Sequence, residues 1–188
     1  PTLGTSNVRF GVNAGNSILS GGNYNVVVGD EAGTAITTGD SNVAIGFKAL
    51  YTEDAHGTNV AIGDSALRVL NAGANAYNTA VGFEAGEAIT TGTSNTLIGG
   101  LAGDALQAAS YNTAVGRAAL STACSDGNTA IGYASLFAAT GTHSTAMGVN
   151  AGYGVTSGDN NLILGFDAGR TGSPGGNITT GDNEIALG

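Results

Sequence analysis

Short segments in which apolar and small residues alternate recur along the chain at nearly regular intervals. One of them reads Asn78-Thr79-Ala80-Val81-Gly82, and the related segments also begin with asparagine and close with glycine four residues later. A repeat of fixed period predicts a stacked architecture in which each unit contacts its neighbours in sequence. We therefore interpret the repeated positions as structural and not catalytic. The clearest of them are Asn42 and Gly46, Asn59 and Gly63, Asn78 and Gly82, Asn95 and Gly99, Asn112 and Gly116, and Asn128 and Gly132.

The closing glycines measure the length of the repeat. The interval between consecutive closing glycines is nearly constant, and only the final interval is clearly longer. This small variation predicts identical strands joined by turns of variable length. Residues 172–176 extend the last interval, and we interpret them as a longer turn within one repeat domain of about eleven coils that spans 1–188. The closing glycines are Gly11, Gly29, Gly46, Gly63, Gly82, Gly99, Gly116, Gly132, Gly148, Gly165 and Gly188.

Within each segment, β-branched and small side chains alternate with the two-residue period of a β-strand. Val60 and Ile62 point to one side of such a strand, and Ala61 points to the other. Frequent glycine and the lack of a sustained helical period in the apolar residues argue against helices. We predict that the Val/Ile side fills the interior of each coil. The Ala side would then allow another strand or subunit to approach closely.

A second position follows each closing glycine by four residues and is either glycine or leucine. Gly33 and Gly86 are followed three residues later by Ile36 and Ile89, whereas Leu50 has no such aliphatic residue after it. We infer that each coil needs about one more apolar side chain on a second short strand, supplied from either position. The predicted fold class is all-β, a parallel β-solenoid with two strands and about 17 residues per coil. A hexapeptide β-helix would need three aliphatic hexads per coil, but the strong motif occurs only once per coil here. A calcium-binding nonapeptide roll would need Gly-Gly-x-Gly-x-Asp tracts, which the sequence lacks.

The turns between segments are rich in Thr, Gly, Asp, Ser and Asn. In residues 37–42 and 90–95, glycine supplies a turn conformation, and Asp, Asn or Ser can bond to nearby backbone. The asparagine that begins each segment is replaced by Ser144 in one repeat. Asparagines stacked in successive coils predict a hydrogen-bonded ladder with a structural role.

Composition favours association between chains. Glycine accounts for 33 of the 188 residues, tryptophan is absent, and only 10% of the residues are charged. Small apolar side chains bury little area each, so a single thin chain gains little from burial at roughly 25 cal/mol per Å². A flat apolar face on a two-strand roll would also need covering. We therefore predict a closed cyclic oligomer.

Net charge narrows the range of partners. The formal charge of −9 gives no electrostatic attraction to nucleic acid or to an anionic membrane surface. No apolar stretch approaches the roughly 18 residues that a membrane-spanning helix needs, so no membrane insertion is expected. The chain contains one cysteine, Cys124, in a turn without metal-ligand spacing around it. Because the sequence has no signal peptide and stops within a repeat, we expect it to be a segment of a longer fibrous protein.

Few residues suggest chemistry. His56 and His143 lie in turns far apart in the repeat order, and the acidic pairs Asp30-Glu31 and Glu53-Asp54 are interpreted as solvated charges. A glycosidase pair assembled between chains is the alternative for the carboxylates. We predict no enzyme activity, no cofactor and no metal site in the repeat.

Two further features leave alternatives open. The Gly-Asp turns at 39–42, 158–160 and 181–183 offer oxygen ligands that Ca²⁺ accepts, although each turn alone has too few. Four aromatic residues directly follow a closing glycine, and we assign them to core or inter-chain packing, with stacking against sugars as the alternative. They are Phe47, Phe83, Tyr133 and Phe166.

The repeated Asn-[Thr/Val]-Ala-[Ile/Val]-Gly-x-x-Ala pattern resembles the head repeats of trimeric autotransporter adhesins, the YadA-like head. It is also similar to repeats of bacteriophage tail fibres, and the likeness runs from Asn7 to Gly188. This resemblance implies a left-handed parallel β-roll with three chains packed side by side around a common axis. It implies attachment to a cell or matrix through a surface glycan or protein receptor, and an extracellular location on a bacterial surface or a virion. The longer Thr/Gly/Asp turns favour the virion fibre slightly.

Two other functions are compatible with a repetitive rod. A polysaccharide-degrading phage tailspike would carry a carboxylate site on such a rod. An ice-binding or matrix β-solenoid would need Thr-x-Thr at the same place in most coils.

Overall fold

The computed structural model describes residues 4–188, and within that range it contains β-strands and turns but no helix. Each strand is three residues long and ends directly before a closing glycine. The strands are β1 (Val8–Phe10), β2 (Val26–Val28), β3 (Val43–Ile45), β4 (Val60–Ile62), β5 (Thr79–Val81), β6 (Thr96–Ile98), β7 (Thr113–Val115), β8 (Thr129–Ile131), β9 (Thr145–Met147), β10 (Leu162–Leu164) and β11 (Ile185–Leu187).

All eleven strands form one parallel sheet in which the spatial order is the sequence order. Equivalent repeat positions pair with one another, so that Ala61 of β4 lies beside Ala80 of β5. The register also survives the longer final interval, because Leu162 of β10 pairs with Ile185 of β11. The chain is therefore a parallel β-solenoid, and its coil length of about 17 residues agrees with the repeat.

The prediction of two strands per coil is wrong. After each closing glycine the backbone continues through consecutive tight turns and returns to the sheet without forming a second strand in residues 4–188. Short bonds from one coil to the next hold these turns, for example from Gly86 N to Ala102 O at 2.9 Å. Glycine or leucine in the left-handed conformation recurs in this segment, which a regular strand does not accommodate.

The predicted orientation of the strand faces is also wrong. The central alanines Ala44, Ala61, Ala80 and Ala114 are fully buried and point into the coil, whereas the flanking Val, Ile and Thr residues of the strands are only half-buried or exposed. Each coil has a single layer of side chains between the sheet and the turns. A narrow interior of this kind accepts a methyl group from the strand when the turns supply the larger side chain.

Two kinds of coil fill this interior in complementary ways. In a leucine coil, the second position is a buried leucine and the central residue of the preceding strand is a buried alanine, as with Leu50 and Ala44. The leucine coils are those that follow β3, β4, β7 and β8, with Leu50, Leu67, Leu120 and Leu136.

In a glycine coil, the second position is glycine, and a bulky residue fills the space. A Cβ added to Gly103 would lie 2.8 Å from Leu97 Cδ2, and one added to Gly33 would lie 3.2 Å from Val27 Cγ1. Gly152 likewise faces the bulky Ile163 of the next coil. The turn of a glycine coil also supplies volume, since a Cβ added to Gly33 would lie 2.8 Å from Ile36 Cδ1, and Ile36 is fully buried. The prediction that each coil takes an apolar side chain either from the second position or from three residues later therefore agrees with the structure, although both positions lie in turns and not on a second strand.

The closing glycines form a backbone column along the rod. Gly82 has a φ of 143°, and a Cβ added there would lie 2.5 Å from the carbonyl carbon and oxygen of Gly99 in the next coil. Both the conformation and this close approach require glycine.

Candidate functional site

The predicted asparagine ladder is present and buried. The backbone N–H of Asn95 donates to Asn78 Oδ1 at 2.9 Å, and the N–H of Asn112 donates to Asn95 Oδ1 at 3.0 Å. An equivalent bond joins each pair of consecutive coils from Asn7 to Glu184. In one coil the Ser144 hydroxyl replaces the asparagine amide and accepts a hydrogen bond from Asn161 N at 3.2 Å. We call this series the inner ladder.

The inner-ladder amides, except that of Asn112, also donate a hydrogen bond to a turn carbonyl. Nδ2 of Asn78 donates to Gly92 O at 2.8 Å, and Nδ2 of Asn95 donates to Ala109 O at 2.9 Å. One side chain thus satisfies two buried backbone groups that would otherwise cost about 1–3 kcal/mol each. The predicted repeat asparagines are structural residues, brought into one line by the solenoid.

Asn112 is the exception in this ladder. Its Nδ2 is buried and has no hydrogen-bond partner among the described residues, and Cys124 Sγ lies 3.9 Å from its Oδ1. The coil from Asn112 to Asn128 is one residue shorter than the coil before it, and the Ser125 carbonyl accepts a bond from Asn128. Burial raises the pKa of the Cys124 thiol to about 11, which makes it a weak nucleophile at neutral pH.

A second line of polar bonds, the outer ladder, lies two residues before the inner one. Asp159 Oδ1 accepts from Thr142 N at 2.6 Å, and Asp40 Oδ1 accepts from Asn23 N at 2.6 Å. The sequence indicates that these turn residues bond to nearby backbone, but these bonds reach the adjacent coil. Each Gly-Asp turn therefore uses a carboxylate oxygen for a bond to the adjacent coil, and calcium binding at these turns stays an untested alternative.

The outer face of the sheet carries a continuous apolar line. The third residue of every strand is apolar and points away from the buried alanines, and Ile98 and Met147 are 41% and 49% exposed. We call this line the outer apolar column. It consists of Phe10, Val28, Ile45, Ile62, Val81, Ile98, Val115, Ile131, Met147, Leu164 and Leu187.

The aromatic residues after the closing glycines are not in the core. Phe47, Phe83, Tyr133 and Phe166 are all exposed. Lys48 Nζ lies 4.9 Å from the centre of the Phe47 ring. Packing within the coil is therefore excluded for these residues, while packing between chains and stacking against sugars stay open.

The structure keeps the histidines and acidic residues considered as candidate catalytic or metal-binding groups apart from one another, except for those in the turn of Glu53 and His56. His143 is exposed, and its turn is distant in coil order from that of His56. Glu31 forms an ion pair with Lys48 at 3.5 Å on the surface. The interpretation of Glu53 as a solvated charge is wrong, because its side chain is fully buried beside His56.

Burial raises the pKa of the Glu53 carboxyl, while the Ala72 backbone N–H and the neighbouring His56 act against that rise. A signal for this burial exists in the sequence. Glu53 lies three residues after Leu50, at the position that Ile36 and Leu70 occupy in the adjacent coils. The repeat alignment therefore identifies a core position, although residue type alone suggests the surface.

Comparison of the chain with protein-family models, curated proteins and solved structures gives no match. Among residues 4–188 there is no helix with the length and hydropathy needed to cross a bilayer.

Proposed function

We propose that this chain is a structural and adhesive segment of a homotrimeric fibre, located outside the cell on a bacterial surface or a virion. In this proposal it has no catalytic role, and three left-handed solenoids pack side by side. The fibre attaches to a host cell or surface through a glycan or protein receptor. The observation that carries the proposal is the outer apolar column, which runs the length of the sheet.

The dimensions of this face support association. Eleven strands spaced about 4.8 Å apart give a face roughly 50 Å long, and two outward residues per strand give a width of about 10 Å. Exposed apolar patches of several hundred Å² on soluble proteins mark interaction sites. The predicted trimer thus rests on the Val/Ile side of the sheet and not on the alanines.

Copies of the chain are the occupants that best fit this face. The outer apolar column repeats at the strand spacing, so a parallel copy can place an equivalent residue at each level of the rod. Cyclic packing around one axis would cover the column in every copy. The side chains involved are uncharged over the full length of the column, so association does not bring the net charge of −9 into the contact.

The trimer is tested by sedimentation equilibrium of the chain and of an Ile98→Lys/Ile131→Lys variant. We expect a trimer for the natural sequence and a folded monomer for the variant, because a buried unpaired lysine opposes association without entering the coil interior. The matched control is Ala74→Lys, which adds a lysine to an exposed turn and should leave the trimer intact.

A natural chain that sediments as a folded monomer would contradict the proposal, as would a trimer unaffected by both lysines.

A monomer that also produces thermal hysteresis would support the ice-binding alternative. Five consecutive strands carry threonine at the first position, from Thr79 to Thr145, and provide the regular outward hydroxyl row for such a role. The third strand position is apolar in each of these coils, however, so Thr-x-Thr is not formed.

A further inference from the structure

One turn of the solenoid places a carboxylate in the hydrocarbon interior. Glu53 occupies the position that Ile36 fills in the coil before it and Leu70 in the coil after it, and all three side chains are fully buried. An ionised carboxylate at such a position is costly unless it is paired, hydrogen-bonded or bound to a metal. Its surroundings therefore indicate what partner it has.

The protein satisfies only one of the two Glu53 oxygens. Oε2 accepts a long bond from Ala72 N at 3.4 Å, whereas Oε1 has no hydrogen-bond partner among the described residues. Oε1 lies 3.6 Å from Nδ1 of His56, which is also buried and without a partner in that part of the chain. This separation is longer than the roughly 2.7–3.2 Å of a nitrogen–oxygen hydrogen bond. Two unpartnered polar atoms thus face each other.

Asp54 completes the group. One ligand atom from each of Glu53, Asp54 and His56 can be chosen so that all three lie within 4.8 Å of one another. Ligands about 2.1 Å from a tetrahedral zinc ion are about 3.4 Å apart, so the separation of Oε1 and Nδ1 matches one edge of such a site. Asp54 Oδ1 also accepts from Ala55 N at 2.6 Å, which orients the carboxylate.

The backbone of this turn is held from both sides. The Asp54 carbonyl accepts from Thr37 N at 2.6 Å and from Thr37 Oγ1 at 3.0 Å. The His56 carbonyl accepts from Asn42 Nδ2 at 3.2 Å. In the opposite direction, Gly57 N donates to Asn75 Oδ1 at 3.0 Å. The three candidate ligands therefore project from a turn that is fixed before any ion binds.

We propose that Glu53, Asp54 and His56 bind one divalent transition-metal ion of the zinc type. An imidazole nitrogen with two carboxylates suits zinc and its neighbours better than calcium, which takes six to eight oxygen ligands. Two carboxylates and a neutral imidazole supply a charge of −2 that the ion cancels. Water or a further oxygen completes the fourth position. The ion links the turn to the core in place of the aliphatic contact that the adjacent coils make.

The proposal is tested by isothermal titration of the whole chain with zinc chloride, after treatment with a chelator. We expect one zinc ion per chain, and an affinity reduced by about tenfold or more in Glu53→Gln and in His56→Asn, since even the loss of an outer-shell partner costs that much. The matched control is His143→Asn, which removes the exposed turn histidine and should leave the affinity unchanged. Magnesium and calcium should not compete at equal concentration.

A second variant separates binding from folding. Glu53→Leu restores the residue type of Leu70, so it should fold at least as well as the natural chain but lose zinc binding. Zinc should raise the melting temperature of the natural chain and not that of Glu53→Leu, because a ligand of the folded state stabilises it. A natural chain that takes up no zinc would overturn the proposal and leave Glu53 and His56 as an internal pair. Binding that persists in Glu53→Leu, or that disappears in His143→Asn, would also overturn it.

Discussion

The glycine coil after β6 and the leucine coil after β7 are neighbours with the same backbone but opposite solutions for the core. In the first, Leu97 from the strand and Leu106 from the turn fill the interior, and Gly103 leaves room for both. In the second, Leu120 fills the interior from the turn, and Ala114 on the strand leaves room. Gly103 and Leu120 have φ values of 59° and 52°, so their backbone conformations are nearly identical.

This difference shows that the solenoid fixes the volume of each coil and not the source of that volume. A leucine in the left-handed conformation costs roughly 1–2 kcal/mol, whereas burying its side chain stabilises the fold by about 1.5–3 kcal/mol. The leucine coil is therefore favourable despite its backbone, provided that the strand opposite carries alanine. Neighbouring coils can switch between the two solutions because the inner ladder and the closing glycines are common to both.

Leu97→Ala should have the largest effect on this comparison. The substitution leaves a glycine coil without the bulky strand residue, and we expect the free energy of unfolding to fall by about 3–5 kcal/mol because a cavity remains. Urea denaturation followed by circular dichroism measures the change. A loss below about 1 kcal/mol would mean that the adjacent turns collapse into the space and that the core volume is not fixed.

The effect of Gly103→Leu on stability should change sign according to the residues at positions 97 and 106. In the natural chain we expect the free energy of unfolding to fall by about 2–4 kcal/mol, since the new Cβ would lie 2.8 Å from both Leu97 Cδ2 and Leu106 Cδ1 and left-handed leucine is strained. In a Leu97→Ala/Leu106→Ala background the same change builds a leucine coil like that of Leu120, which is followed three residues later by Ala123, and should restore about 1–2 kcal/mol. The mutant cycle is measured by the same denaturation. Additive effects would refute the complementarity of position 103 with these two leucines.

The smallest effects are expected in the outer ladder, which both kinds of coil share. Asp40→Ala precedes a leucine coil and Asp159→Ala precedes a glycine coil, and each removes an acceptor 2.6 Å from a backbone N–H. Because both aspartates are exposed, water can replace them, and each loss should be under about 1 kcal/mol. Thermal unfolding of the two variants should agree closely. A clear difference between them would show that the type of coil influences the turns as well as the core.

Much of the architecture is predictable from the spacing of Asn and Gly. The positions of the strands, their parallel order and the buried ladder through Asn78 and Asn95 follow because identical residues must occupy identical places in a stack. The orientation of the strand does not follow. Alternation divides Val60 and Ala61 between two faces, but only the width of the coil determines that Ala61 is inside.

The chemistry of individual turns is harder to predict. Glu53 is charged, and a charged residue next to Asp54 ordinarily indicates solvent, so the residue type conceals its core position. The outer ladder cannot be predicted from the sequence for another reason. The turn residues can bond to their own backbone or to the next coil, and that choice depends on how successive turns align in space. Neither result can be obtained from one repeat considered alone.

The long interval between β10 and β11 has a practical meaning. Strand register is kept across residues 172–176, because Leu162 still pairs with Ile185. Asn161 Oδ1 also still accepts a hydrogen bond from Glu184 N at 2.8 Å. Length added at this corner is thus absorbed in a mostly exposed loop, in which only Gly175 lies against the backbone of Leu187 in β11. Peptides inserted beside Gly172, where an added Cβ would meet no neighbouring atom, would be displayed at a defined height along the solenoid, so that exposed sequence can be varied independently of the fold.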